Sequence, residues 1–248
     1  MNTNETIRSS NKSNGRKGGY ATLGELYQEA LKVIGIEWKT KTPFASIRRI
    51  VQDNRFFFKI RPGLWALKEF RDKLPIEILP TSEVSESKKL EFNHSYYQGL
   101  LLEIGNLKKF QTSLPPQDKQ KKYLGKILKD ISTIKDFYNF TYKHLVEKAK
   151  RIDVVWFNER KMPDSFFEIE HTTDMVHSLV KFVELQDFYS KFYIVANKLY
   201  ENQFNAKLSY NAFSVLRNRV HFITYEVVSN WHSKTYELVT LEDKLIIG

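Results

Sequence analysis

The 248-residue chain contains no cysteine. That absence excludes disulfide frameworks, thiolate zinc sites and thiol nucleophiles. Only oxygen and imidazole donors remain for a metal, which favours Mg²⁺ or Mn²⁺ over structural zinc. Glycine (10) and proline (7) are scarce, so the chain is not of low complexity. No stretch approaches the roughly 18 consecutive apolar residues of a membrane helix. Residues 1–19, rich in Asn, Ser, Gly and Lys, hold no apolar core. They are expected to form a flexible basic arm and not a secretory signal, which makes a soluble cytoplasmic protein the expectation.

What is present suits a folded protein with a polyanionic partner. The hydrophobic fraction is 42% and the aromatic fraction 14%, ample for a packed core. The net charge of +10 is unevenly spread: residues 1–74 carry 15 Lys/Arg against 7 Asp/Glu, whereas the remainder carries 24 against 22. A basic first third is what neutralising phosphates requires, although a merely solvated basic segment gives the same count.

From Leu23 the apolar residues Leu23, Leu26, Tyr27, Ala30, Leu31 and Ile34 recur at helical spacing, with Gly35 as a stop. Thr42-Pro43 then supplies a cap and a first-turn proline for a second helix, which places Ile47, Ile50 and Val51 on one face. Two short apolar runs, Phe56 to Ile60 and Leu64 to Leu67, flank Arg61-Pro62-Gly63 and predict a β-hairpin. Helix, helix and hairpin within about fifty residues outline a winged helix, whose second helix commonly enters the major groove. The run Lys41-Thr42-Pro43-Phe44-Ala45-Ser46-Ile47-Arg48-Arg49-Ile50, with Phe58-Lys59-Ile60-Arg61-Pro62-Gly63-Leu64-Trp65-Ala66-Leu67, resembles the HARE-HTH winged-helix family. The resemblance implies DNA contacts from Arg48, Arg49 and Gln52 on the second helix and from Lys59 and Arg61 on the wing. The additional helix with which that family usually begins is not evident in residues 1–19.

Residues 20–74 thus form the expected first domain. Residues 75–93, with Pro75, Pro80 and a Ser/Glu/Lys-rich run, are expected to be a linker, and 94–248 a second domain. That domain is predicted to open with a helix from His94 to Gly105 and to continue with a long amphipathic helical stretch over 121–150, with Leu124, Ile127, Leu128, Ile131 and Ile134 on one face. Two strands follow, 151–157 and 165–171, joined by a polar connection as a hairpin. A helix over 172–188 and a strand over 192–196 come next. Residues two apart on a strand share a face, so Glu168 and Glu170 project together, and Asp153 comes level with them if the turn centres near Arg160-Lys161. Three buried carboxylates repel one another and need a cation.

Asp153, a hairpin and then Glu168-Ile169-Glu170 resemble the signature of the PD-(D/E)XK nuclease superfamily, with Glu103 in the place of its helical glutamate. The resemblance implies an α/β fold: an N-terminal winged helix-turn-helix plus a restriction-endonuclease-like domain with a central mixed sheet flanked by helices. It also implies phosphodiester hydrolysis in duplex DNA, with Mg²⁺ or Mn²⁺ held by Asp153 and Glu168 and a metal-shell or base role for Glu170. Glu170 stands where the superfamily usually has lysine; Lys181, on the next helix, is a substitute that spacing alone does not support. Gln98 is a further phosphate-contact candidate. A nucleoid location, a homodimer on DNA, a companion methyltransferase and sensitivity to base modification belong to the same expectation. Two rivals stay open: a DNA-binding regulator with a degenerate nuclease fold, and a nuclease acting on RNA.

Overall fold

The computed structural model describes residues 18–30, 32 and 42–247. They fall into two compact units, one comprising residues up to Val84 together with those from Ser229, the other Ser85–Val228.

In the first unit, strand β1 (Tyr20–Thr22) leads directly into helix α1 (Leu23–Ala30). A reciprocal cap starts the helix. The Glu25 carboxylate accepts from the Thr22 amide (2.9 Å) and hydroxyl (3.0 Å), and the Thr22 hydroxyl accepts from the Glu25 amide (3.2 Å). These bonds satisfy donors that a helix start leaves over. Helix α2 (Pro43–Val51) buries Phe44, Ile47 and Val51 in one cluster with Leu26, Tyr27 and Ala30. Strands β2 (Phe57–Arg61) and β3 (Leu64–Leu67) pair antiparallel around Pro62-Gly63, where Gly63 takes φ 77°, a value open to glycine at little cost. Strand β1 joins the free edge of β3, giving the order β1-β3-β2. Residues 1–17, Leu31, Ile34 and Gly35, assigned above to the arm and the helix end, lie outside the described residues.

The second unit opens with helix α3 (Glu86–Leu107), whose start is fixed by Ser85 accepting from the Lys88 amide (3.4 Å). The helix expected at His94 therefore begins within the segment read as linker. Strands β4 (Gln111–Ser113), β5 (Lys122–Tyr123) and β6 (Lys126–Ile127) follow, then helices α4 (Leu128–Ile131) and α5 (Lys143–Ala149). Next come strands β7 (Val154–Phe157) and β8 (Pro163–Glu170), helix α6 (Val176–Val183) and strand β9 (Lys191–Ala196). Helix α7 (Glu201–Leu208), strand β10 (Val220–Thr224) and helix α8 (Tyr225–Ile247) complete the chain.

The single long helical stretch predicted over 121–150 is not formed. Leu124 (φ 49°) and Gly125 (φ 78°) both take the left-handed conformation, which makes a two-residue turn between β5 and β6 and interrupts the helical period. The apolar spacing is real but is divided among a hairpin, a four-residue helix and a later helix. The helix expected over 172–188 is confined to Val176–Val183, and the strand expected from Arg151 begins at Val154.

The central sheet runs β10-β9-β8-β7-β4 and is mixed: β10, β9 and β8 are parallel, while β8–β7 and β7–β4 are antiparallel. Helix α3 covers one face. There the Trp156 indole donates to the Leu101 carbonyl (3.1 Å), and Gly105 leaves room for the ring, since a Cβ at that position would lie 2.7 Å from Nε1. The other face buries Val155, Phe157, Phe166, Phe192 and Ile194 with Leu179 and Phe182 of α6. Each such side chain contributes about 1.5–3 kcal/mol by leaving water. Within the first unit, the later part of α8 supplies Ser229, which donates to the Pro62 carbonyl (2.9 Å), and Glu237, 3.7 Å from Arg48. Among the described residues no helix is long and apolar enough to cross a membrane.

Candidate active site

The β7–β8 hairpin brings the predicted carboxylates together. Its turn is held by Asn158, whose side chain accepts from the Arg160 and Met162 amides (3.0 and 3.1 Å) and whose main chain pairs with Met162 and Lys161. Lys161 sits at φ 61°. The register pairs Val154 with Phe167, so one step further along Asp153 stands opposite Glu168. Glu168 is buried and Glu170 half-buried on the same face. Asp153 is anchored by the Ile169 amide, which donates to its Oδ2 (2.7 Å).

Helix α6 approaches this end from the face that Glu168 and Glu170 share. Lys181 Nζ lies 2.9 and 2.8 Å from the two Glu168 oxygens and 3.3 Å from the Arg151 carbonyl. Ser178 Oγ contacts Glu168 Oε2 (3.0 Å) and also Glu170. A hydroxyl has one proton to give, so bridging two carboxylates fully satisfies it only when one of them is protonated. The electrostatics agree. Burial and the Asp153 charge push Glu168 well above the usual carboxylate range, against the pull of Lys181 and Ser178. Burial raises Glu170 too.

Helix α3 approaches from the opposite face. His94 and Gln98, one turn apart, share a side of that helix. His94 Nε2 lies 3.3 Å from Asp153 Oδ1 and 4.0 Å from Asp118 Oδ2. Gln98 Nε2 donates to Asp118 Oδ2 (2.7 Å) and to the Asp153 carbonyl (3.2 Å). Asp118, at the end of the short 3-10 turn Pro116–Asp118, is buried and paired through Oδ1 with Lys121 (2.6 Å). Burial acts to raise Asp153, but the His94 ring, the Ile169 amide and Lys181 outweigh it and hold that carboxyl below its usual range. Burial opposes the charged form of His94; Asp153 and Asp118 prevail and raise it.

His171 completes the surroundings. The Tyr225 hydroxyl donates to the Glu170 carbonyl (2.7 Å) and meets His171 Nδ1 (2.7 Å). Its proton being used on the carbonyl, the hydroxyl accepts from Nδ1–H, which leaves Nε2 as the bare lone pair. That Nε2 is buried and has no hydrogen-bond partner, and the His171 ring lies 5.5 Å from that of His94. Burial and the His94 charge lower His171 to about 4.

Of the residues singled out in the sequence, Asp153, Glu168, Glu170 and Gln98 are gathered here. Glu103 is not among them. It lies nine residues beyond His94, two and a half turns and so on the far side of α3, where Tyr123 donates to it (3.0 Å) and Lys126 lies 3.8 Å away. In the first unit Arg49, Gln52 and Lys59 are exposed. Arg48 donates to the Tyr27 hydroxyl (3.0 Å), and Arg61 to the Ile78 carbonyl (3.0 Å). Sequence reasoning missed Asp118 and gave His94 no role. The four-residue spacing of His94 and Gln98 on a predicted helix was a usable signal for the latter.

A family model described as the type II restriction enzyme NmeDI C-terminal domain matches residues 73–246. No curated protein and no solved structure matches the chain.

Proposed function

The chain belongs to the family of the type II restriction enzyme NmeDI C-terminal domain, and we propose that it is a metal-dependent endonuclease of the PD-(D/E)XK type, cutting duplex DNA. The observation that carries this is Asp153, one residue before β7, held by the amide of Ile169 next to Glu168 (2.7 Å), with Lys181 Nζ 2.8 Å from the glutamate. Glu170 occupies the sequence position where the superfamily usually has lysine, and Lys181 brings an ammonium to the same carboxylate from the next helix. The order α3, β4, β7, β8, α6, β9 supports the same assignment.

Asp153 and Glu168 fit a divalent cation: both are carboxylates, both are largely withdrawn from water, and Glu168 is costly to ionise without a positive neighbour. Asp153 and Glu168 hold Mg²⁺ or Mn²⁺ in this proposal. The cation, when bound, polarises the scissile phosphate and lowers the pKa of a water. Lys181 orients the attacking water through Nζ and neutralises Glu168. Glu170, linked to Glu168 through Ser178, receives the proton the water releases. Gln98 fixes the Asp153 main chain.

The N-terminal unit delivers the DNA. Its two helices and three-stranded sheet are read as a winged helix of the HARE-HTH type. Arg49, Gln52 and Lys59 reach DNA from the exposed surface; Arg48 and Arg61 stiffen the helix and the wing and add charge. Because one site cuts one strand, a double-strand break needs two copies. Cellular location at the nucleoid, protection by a companion methyltransferase and sensitivity to base modification follow from a restriction role.

The test is incubation of the full chain with methylated and unmethylated plasmid in Mg²⁺ or Mn²⁺, beside Asp153→Ala and Glu168→Ala. Nicked or linear product from the wild type alone is expected. Plasmid that is bound but intact identifies a DNA-binding regulator, and cleavage of RNA in its place identifies an RNA nuclease.

A further inference from the structure

We propose that His94, Asp118 and Asp153 form a second cation seat, separate from the Asp153–Glu168 pair, and that it takes a manganese-class transition ion in preference to magnesium. The inference builds on the nuclease proposal through Asp153, which both seats share.

The donors are already gathered. One ligand atom from each of His94, Asp118 and Asp153 lies within 4.8 Å of the others, and His94 Nε2 is 3.3 Å from Asp153 Oδ1. Ligands about 2.1 Å from one ion lie roughly 3.0–4.2 Å apart, so these side chains need only small adjustments. Each oxygen of Asp153 has its own direction. Oδ2 is taken by the Ile169 amide next to Glu168, whereas Oδ1 faces His94.

Two buried atoms without partners stand beside this cluster. Gln98 is fully buried and its Nε2 donates into the cluster, yet its Oε1 has no hydrogen-bond partner. A buried unsatisfied polar atom is costly and calls for a reason. This unpartnered oxygen is carried by the same amide whose Nε2 touches the cluster, so a further oxygen ligand stands beside the three. The second atom is His171 Nε2, a lone pair whose tautomer Tyr225 fixes, on a ring adjacent to that of His94. Lys121 balances Asp118 through Oδ1 and leaves Oδ2 toward His94.

The donor chemistry sets the preference. Carboxylates serve Mg²⁺ and Mn²⁺ alike, but an imidazole favours the transition ion, whose affinity for nitrogen is the greater. Among the described residues, the side-chain nitrogen on Glu168 is the Lys181 ammonium, which cannot ligate while protonated.

The test is pulsed electron paramagnetic resonance of the metal-free full chain loaded with Mn²⁺, together with the bound stoichiometry. Nitrogen coupling from a directly ligated imidazole is expected in the wild type, with two ions bound. In His94→Ala the coupling disappears and one ion is lost; in Glu168→Ala the coupling persists. A hundredfold excess of Mg²⁺ removes the uncoupled ion and spares the coupled one. Asp118→Asn weakens the coupled ion at least tenfold. Absence of nitrogen coupling in the wild type, which depends on no variant folding, overturns the proposal, as does coupling that survives in a folded His94→Ala protein. If no nucleic acid is cut but the coupled ion is present, the nuclease reading falls and this seat stands. Cleavage without coupling does the reverse.

Discussion

Asp153 and Glu168 face each other across one β-ribbon, yet their surroundings push them in opposite directions. Asp153 gathers an imidazole and a main-chain amide and is held ionised. Glu168 lies deeper, meets the Asp153 charge, and is driven toward its neutral form although an ammonium touches it. The difference teaches that a pair of site carboxylates is an asymmetric device: one member is held as an anion, and the other gives up its proton reluctantly. Pairs of groups with separated pKa values are a mark of functional sites.

Removing the ionised member should hurt most. Asp153→Ala is expected to lower DNA cleavage at least about 10³-fold, since several kcal/mol of charge stabilisation go with it; single-turnover rates on plasmid measure this, and a loss below tenfold breaks the asymmetry. Altering the cation beside the reluctant member comes next. Lys181→Met is expected to cost about 10²-fold in cleavage rate, in the range of a positioned proton-handling group, with partial recovery in Lys181→Arg. Equal rates for the Met and Arg variants would show that the ammonium does not serve Glu168.

A smaller effect separates the two units. Arg49→Ala and Lys59→Ala are each expected to weaken duplex binding several-fold and to reduce the slope of log affinity against log salt by about 1, with the cleavage rate at saturating DNA unchanged. Arg48→Ala, which loses the Tyr27 and Glu237 contacts, should lower the melting temperature as well.

The smallest effect concerns His171. Burial and the His94 charge lower it from 6.5 to about 4. Between those values the unfolded chain binds a proton that the folded chain refuses, so stability is intact above about pH 6.5 and declines as the pH falls toward 4. Melting curves of metal-free protein should show that decline, and His171→Asn should flatten it.

The carboxylate ribbon was legible because a period of two and a turn are local properties: Glu168 and Glu170 share a face whatever surrounds them, and the turn near Lys161 brings Asp153 level. The mixed sheet between helices was an expectation from the resemblance to the PD-(D/E)XK signature, and the order of strands and helices after residue 151 agrees with it. Lys181 was not legible, since thirteen residues and a change from strand to helix separate it from Glu168 and only the packing of α6 closes that gap. Asp118 was hidden for the same reason, its position depending on how the segment after β4 crosses α3. Glu103 shows a different failure. An acid of the right type on the right helix was placed by residue count, and helical angle carries it away from the site. The 121–150 stretch fails through Leu124-Gly125, two left-handed residues that no apolar periodicity reveals.

Lys181 on Glu168 and Lys121 on Asp118 have one more consequence. Many metalloproteins are unfolded until their ion arrives, because nothing else quiets the repulsion among the ligands. Here two ammonium groups already do so. On the proposed reading they act as resident placeholders: the metal-free protein is expected to be folded but inert, with an ion completing a site that already stands.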